Sequence, residues 1–317
     1  MNILITDKMA PEAIDLLKNT QHNVIFDEMD GDKLLDEIQK YHALMVRSRT
    51  KVLKEIIEKG VNGKLKVIGR AGIGVDNIDI KVASKYGIPV VNSPTGATIS
   101  VSELTFGLIM ALSRYITLAD KTMKEKKWEK KLLKGFEIYG KTLGLIGTGN
   151  IGKYIAKIAQ CYNMKVIGYD PFINKEEMKE EGIDKIDDLE NLMTTSDYIS
   201  LHLPHNPKTH HLINERMISK MKPTAFLINC ARGGTVDEKA LYNALKNHAI
   251  SGAAIDVFEE EPLGDNPLTK LDNVILTPHL GANTIEGQIR AGTICANQII
   301  KVLNGEEPDY CVNAHFL

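Results

Sequence analysis

Three polar residues stand just beyond strand-like runs, and their types could together move a proton and hold an anion. Arg232 follows AFLINC in Cys230-Ala231-Arg232-Gly233-Gly234, Glu261 follows AAIDVF in Glu259-Glu260-Glu261-Pro262, and His279 follows NVILT in Pro278-His279-Leu280. An arginine at the mouth of a buried strand is either desolvated and paired or faces a cavity where an anion arrives. A neighbouring carboxylate favours the protonated form of an imidazole, which suits the histidine to exchange a proton with a hydroxyl. Hydride transfer from an alcohol needs such a base, a group to hold it, and a cation near the developing carbonyl. Each residue alone also has a plainer use: a structural ion pair for Arg232, a solvated turn for the three glutamates, a polar core position for His279. Their joint placement favours the chemistry.

A second constellation says what would exchange the hydride. Gly147-Thr148-Gly149-Asn150-Ile151-Gly152 matches G-x-G-x-x-G, with the strand-like TLGLIG before it and the helical KYIAKIAQCYNM after it. A second strand-like run, KVIGYD, ends on Asp170, at the roughly 20-residue offset of the acid that binds a ribose. Gly147 suits a tight turn, Gly149 lets a pyrophosphate approach the backbone, and Gly152 lets helix pack on strand. The helix N-terminus offers free N–H groups and the positive end of its dipole to the phosphates. A carboxylate at 170 accepts from both ribose hydroxyls of NAD and repels the 2′-phosphate of NADP, so NAD is the expected cofactor. The bland alternative is a buried glycine turn with Asp170 as a helix cap.

The elements that must position these residues alternate along the whole chain. NILIT (2–6), NVIF, ALMV, LKVIG and PVVN, then TLGLIG, MKVIGYD, YISLHL, AFLINC, SGAAIDVF and NVILTPH are short apolar runs, with helical patterns such as PEAIDLLKN and DKLLDEIQKY between them. That alternation predicts parallel strands with crossover helices. One long helical pattern begins near Ile99 and separates the two halves; a last one, roughly 284–303, is expected to return to the first half. The expected class is α/β with two doubly wound parallel-sheet domains, the second a Rossmann NAD-binding domain inserted into the first. The boundaries read as 1–98 plus 285–317, and 99–284.

Bulk properties narrow the rest. The 317 residues suffice for two cores, and a formal net charge of −2 gives no general attraction to nucleic acid or anionic membrane. No run approaches the roughly 20 apolar residues of a membrane span. MNILITDKMA opens directly into a strand pattern without a basic leader, and Cys161, Cys230, Cys295 and Cys311 are scattered; a cytoplasmic protein with reduced thiols is expected. His202, His205, His210 and His211 crowd LHLPHNPKTHHLI, but their spacing fits no zinc pattern, so they read as loop residues and no metal is expected. The charge run KTMKEKKWEKKLLKG (121–135) reads as a solvated helix end and loop.

RSRTKV (47–52), GRAGIGVDNID (69–79), GKTLGLIGTGNIG (140–152), NCARGGTVDE (229–238), IDVFEEEP (255–262) and PHLGA (278–282) together identify the chain as similar to the D-isomer-specific 2-hydroxyacid dehydrogenases over nearly its full length. The resemblance assigns the catalytic trio to Arg232, Glu261 and His279. It implies that Asp256 holds the nicotinamide amide and extends the NAD contacts to Ile73, Asn150, Ile151, Leu203, Cys230, Ala231, His279 and Ala282. Arg232 would bind the substrate's carboxylate and C2 oxygen, His279 would carry the hydroxyl proton, and Glu261 would orient the imidazole.

Within that family the chain looks suited to a small phosphorylated 2-hydroxyacid, D-3-phosphoglycerate. Arg47, Arg49 and Arg70 are the candidate cations, and the backbone N–H groups of Gly72, Ile73 and Gly74 a cradle for the carboxylate. In related enzymes the region matching KKWEKK crosses a dimer, which would bring Lys130 to the neighbour's site. A homodimer through the helix from Ile99 and the segment around Trp128 is therefore expected. A glyoxylate or hydroxypyruvate reductase with the same machinery is the nearest alternative, and an NAD-sensing scaffold without turnover the more distant one. Many members continue into a serine-binding regulatory domain; this sequence stops at Leu317, and little inhibition by L-serine is expected.

Overall fold

Runs rich in β-branched residues become strands, and every strand pairs in parallel. The computed structural model describes residues 1–316. The chain divides into two compact units, one made of Met1–Thr98 with the segment from Ala282 onward, the other of Ile99–Gly281.

The first unit contains β1 (Asn2–Ile5), β2 (Asn23–Phe26), β3 (Ala43–Val46), β4 (Val67–Arg70) and β5 (Val90–Val91), in the order β2-β1-β3-β4-β5. Parallel strands need crossovers that cover both faces, so their sequences read as continuous apolar runs; all four residues of β3 are buried. Leu4, Leu44, Ile68 and Val90 pack on one side of the sheet. Ile3, Ile5, Met45 and Val67 pack on the other, against Cys295 and Ile299 of the helix Ile285–Leu303. Thr284 starts that helix by accepting from the Gly287 N–H at 2.9 Å, which satisfies one of the otherwise orphaned first-turn donors. The same helix meets the helix Pro11–Lys18 at Gly292, where a Cβ would stand 2.8 Å from that of Ala13. Gly292→Ala would force these helices apart.

The second unit holds β6 (Thr142–Ile146), β7 (Lys165–Tyr169), β8 (Asp184–Lys185), β9 (Tyr198–Leu201), β10 (Phe226–Asn229), β11 (Gly252–Ile255) and β12 (Val274–Leu276). Their order is β12-β11-β10-β9-β6-β7-β8. The chain direction across the sheet reverses between β6 and β9, and a crevice at the C-terminal ends of strands at such a switch is where open α/β sheets bind ligands. The two-residue β8 has no apolar run of its own, and nothing in the sequence announces it. Tyr198 stacks on Phe226 with ring centroids 5.3 Å apart, and Phe136 meets Phe226 edge-on at 5.8 Å. Such pairs contribute about 0.5–1.5 kcal/mol each beyond their burial.

The single helix expected from Ile99 is two helices, Thr98–Ser113 and Ile116–Lys124, bent by 64°. The break lies at Tyr115, whose φ is 51°. There the chain turns left-handed and the ladder stops. The Ser113 carbonyl accepts from the Phe136 N–H at 2.8 Å instead, and Gly135 permits that approach because a Cβ there would stand 2.4 Å from the same carbonyl oxygen. Helical periodicity continues through the break, so it cannot report a bond made from 23 residues away. Among the described residues no single helix is long and apolar enough to cross a membrane.

Candidate active site

The glycine turn lies between β6 and the helix Asn150–Cys161. Gly147 has φ +94°, and a Cβ there would lie 2.4 Å from the His202 carbonyl oxygen. A Cβ at Gly152 would lie 2.5 Å from the Gly147 carbonyl oxygen, whereas one at Gly149 would meet nothing within 4 Å. Two glycines are therefore required by packing, and the third faces open space where backbone can meet a phosphate. No side chain caps the helix that starts after Gly149, which leaves its amide donors and dipole to an anion. At the end of β7, Asp170 accepts from the Thr148 N–H at 2.9 Å and the Phe172 N–H at 3.0 Å. With a further contact from Thr148 Oγ1, at 3.5 Å to the oxygen that takes the Thr148 N–H, these bonds tie the glycine turn to the acid and leave Oδ1 a further lone pair. The arrangement fits a dinucleotide.

Glu261 and His279 stand on the loops after β11 and β12, with Glu261 Oε2 2.7 Å from His279 Nδ1. The other oxygen of Glu261 accepts from the Phe258 N–H at 3.0 Å. Burial opposes ionisation of this carboxyl. The hydrogen bonds from His279 and Phe258, with the charges of His279 and Arg232, outweigh it and hold the group below the usual carboxylate range. With Nδ1 engaged by the carboxylate, Nε2 is the ring nitrogen that can exchange a proton.

His279 itself has φ +53°, a conformation a non-glycine residue keeps only when its surroundings impose it. Asp256 imposes it. This fully buried carboxylate accepts from Thr277 Oγ1 at 2.6 Å, the Leu280 N–H at 2.7 Å and the Gly281 N–H at 2.9 Å. Its backbone carbonyl takes the His279 N–H at 2.8 Å. Arg232 is held in the same way from β10. The Arg232 carbonyl accepts from Asn229 Nδ2 at 3.1 Å and Thr235 Oγ1 at 2.7 Å, while Nη1 reaches the Ala231 carbonyl at 2.7 Å. Cys230, beside it, is buried, and that burial pushes its thiol up to about 12; it is an inert lining group.

In the first unit all three nitrogens of the Arg49 guanidinium already have acceptors. Nε lies 3.0 Å from Asp7, Nη1 2.9 Å from Asp30, and Nη2 donates to the Thr6 carbonyl. An incoming phosphate must compete with two carboxylates for it. Arg47 keeps a freer side chain, with Nη1 at 3.3 Å from the Lys8 carbonyl, while its backbone N–H binds Asp7. The Arg70 guanidinium lies across Gly72, where a Cβ would stand 1.4 Å from Nη1, and the φ of +153° there is one that residues with side chains rarely adopt. Lys130 and Trp128 are exposed on the segment after the helix Ile116–Lys124.

Residues 106–281 match the family described as D-isomer specific 2-hydroxyacid dehydrogenase, NAD binding domain. The chain belongs to the D-isomer-specific 2-hydroxyacid dehydrogenases. Among members of that family, a D-3-phosphoglycerate dehydrogenase of Methanocaldococcus jannaschii is 50% identical over 99% of this chain and 59% of its own. A hydroxypyruvate reductase of Thermotoga maritima is 46% identical over 94% of this chain and 97% of its own. The solved D-lactate dehydrogenase of Aquifex aeolicus, complexed with NAD and lactic acid, superposes with a TM-score of 0.85 at 31% identity, covering 96% of each chain. The chain spans about three-fifths of the length of the phosphoglycerate dehydrogenases it matches.

Arg232, Glu261 and His279 stand out in the sequence, whereas the residues that brace them do not. Asn229 and Thr235, both buried, lock the Arg232 backbone; a buried asparagine ending an apolar strand was the available signal. Asp7 and Asn77 hold the loop after β3, Asn77 donating to the Arg47 and Thr50 carbonyls at 2.7 and 2.6 Å. The four crowded histidines do different things. His202 follows β9, bonds Ser200 at 2.8 Å, and is pushed by burial down to about 3, so it is neutral. His205 reaches His210 at 3.1 Å, and His211 reaches Glu259 at 3.0 Å. Among the described residues no three His, Cys, Asp or Glu side chains converge as metal ligands.

Proposed function

We propose that this chain oxidises D-3-phosphoglycerate to 3-phosphohydroxypyruvate with NAD, the first step of phosphorylated serine synthesis, and reduces the ketoacid in reverse. The observation that carries the chemistry is the 2.7 Å pair of Glu261 with His279. NAD, when bound, accepts the C2 hydride. In oxidation His279 Nε2 takes the hydroxyl proton, and in reduction it returns it. Glu261 orients the ring and stabilises the imidazolium, and the Arg232 fork holds the substrate carboxylate and C2 oxygen. Gly147, Gly149, Asn150, Ile151, Gly152 and Asp170 hold the cofactor. Asp170→Ala should reduce the preference for NADH over NADPH by about tenfold or more, the scale of a charged hydrogen-bonding partner. Steady-state KM values for both cofactors measure it, and undiminished discrimination would assign ribose reading to another group.

For the substrate phosphate we assign Arg47 and Arg70, with Gly72, Ile73 and Gly74 at the carboxylate and Arg49 bracing the loop. Three relatives named D-3-phosphoglycerate dehydrogenase, at 45–50% identity, support this reading. Trp128 and Leu132, 78% and 76% exposed, support a homodimer through the segment that carries Lys130. We take the enzyme to be cytoplasmic. The reductase of nearly equal length favours a second reading, reduction of hydroxypyruvate or glyoxylate.

NADH consumption with 3-phosphohydroxypyruvate, hydroxypyruvate and glyoxylate at matched concentrations separates the two. Preference for the phosphorylated ketoacid is expected. Arg47→Ala and Arg70→Ala should each then raise its KM by about 10–100-fold, leaving the small ketoacids unaffected. Equal rates with all three would establish a general ketoacid reductase.

A further inference from the structure

Two loops that are far apart in sequence hold each other through a pair of glutamates. Glu238 opens the helix Glu238–Lys246, just after the loop that carries Arg232. Its Oε1 accepts the Glu259 N–H at 2.6 Å, while its own N–H donates to Glu259 Oε1 at 3.2 Å. Asn266 Nδ2 anchors the second oxygen of Glu238 at 2.6 Å, and His211 Nε2 lies 3.0 Å from Glu259 Oε1. The backbones themselves touch beside this pair: a Cβ on Gly233 would stand 1.7 Å from the Phe258 carbonyl oxygen.

The consequence lies one residue back. Consecutive amides, those of Phe258 and Glu259, are each taken by a carboxylate: Glu261 takes the first at 3.0 Å and Glu238 the second. Fixing the Glu259 amide restrains the backbone at Phe258 and so steadies the adjoining peptide, whose N–H donates to Glu261, and through Glu261 the imidazole of His279. An acid in the first turn of a helix ordinarily serves its own N-terminus. Here Asp237 does that work, accepting from the Ala240 N–H at 2.9 Å, and Glu238 reaches the other loop. His211, left without a role by the sequence, supplies the donor that offsets two adjacent carboxylates; His210 stacks on it with centroids 4.0 Å apart.

We propose that Glu238 is a positioning residue for the reaction, acting with Glu259 and His211 as a clamp that aims Glu261 at His279. The proposal rests on the roles given above to Glu261 and His279. Glu238→Ala should lower kcat for ketoacid reduction about tenfold, as expected for one charged hydrogen bond, with NADH affinity unchanged. It should also move the acid limb of the kcat/KM profile to higher pH. Glu261 must be ionised to hold the imidazole, and a loosened Phe258 N–H weakens the hydrogen bond that favours its ionisation. Glu238→Gln, which keeps an acceptor for the Glu259 N–H, should restore most of the rate.

A loss of thermal stability alone would leave the acid limb where it is. An unmoved acid limb in Glu238→Ala therefore overturns the clamp. Should that variant not fold, an unmoved limb in Glu238→Asp, whose shorter side chain withdraws the acceptor from the Glu259 N–H, overturns it. The parent enzyme separates the two failures: a parent that reduces no ketoacid removes the roles of Glu261 and His279 and the clamp with them. A parent that turns over beside a variant with an unmoved limb removes the clamp alone.

Discussion

His279→Ala should lower kcat for ketoacid reduction by about 10²–10⁴, the range for losing a general acid–base group, while NADH binds nearly as before. The loop should survive the change, because Asp256 shapes it through backbone donors. The His279 N–H goes to the Asp256 carbonyl at 2.8 Å, and the Leu280 and Gly281 N–H groups go to its carboxylate. None of these bonds uses the imidazole. Glu261 loses the partner that does most to offset its burial, so its carboxyl should rise toward the ordinary range. Single-turnover reduction and NADH titration by fluorescence measure the two quantities separately. A variant with an unchanged rate would remove His279 from the mechanism, and one that no longer binds NADH would make it a cofactor residue.

Arg232→Lys should lower kcat/KM by about 10²–10³, the loss seen when one preorganised donor to a developing oxyanion is removed. Lysine keeps the charge but not the planar fork that can hold a carboxylate and a carbonyl oxygen together. The effect should fall on catalysis rather than on folding. Asn229 and Thr235 bind the Arg232 backbone carbonyl, which the substitution leaves in place. An unchanged thermal midpoint with depressed kcat/KM is the expected pattern. Undiminished kcat/KM would return Arg232 to the plainer role of a structural ion pair.

Much of this protein is determined locally. Alternating apolar runs commit the chain to parallel strands with crossovers, because strands covered on both faces can carry no polar alternation. The glycine turn is equally local: a positive φ at Gly147 and missing Cβ atoms at 147 and 152 are properties of those residues. Arg232, Glu261 and His279 stand out because each lies within a few residues of the end of an apolar run, and a strand's end is where its sheet presents side chains to a ligand.

What the sequence could not determine is settled by bonds between distant segments. Tyr115 breaks a helix whose periodicity runs on, since Phe136 takes the last carbonyl. The two-residue β8 exists only because β7 offers it an edge. Arg49 reads like its neighbour Arg47, yet Asp7 and Asp30 engage it from 42 and 19 residues away. The resemblance gives Asp256 a cofactor contact, but only the fold shows that burial with three donors makes it the brace of the His279 loop. Periodicity and glycine geometry act over a few residues and can be read along the chain. Hydrogen bonds to buried carboxylates depend on which loops the fold brings together, and only the tertiary structure decides that.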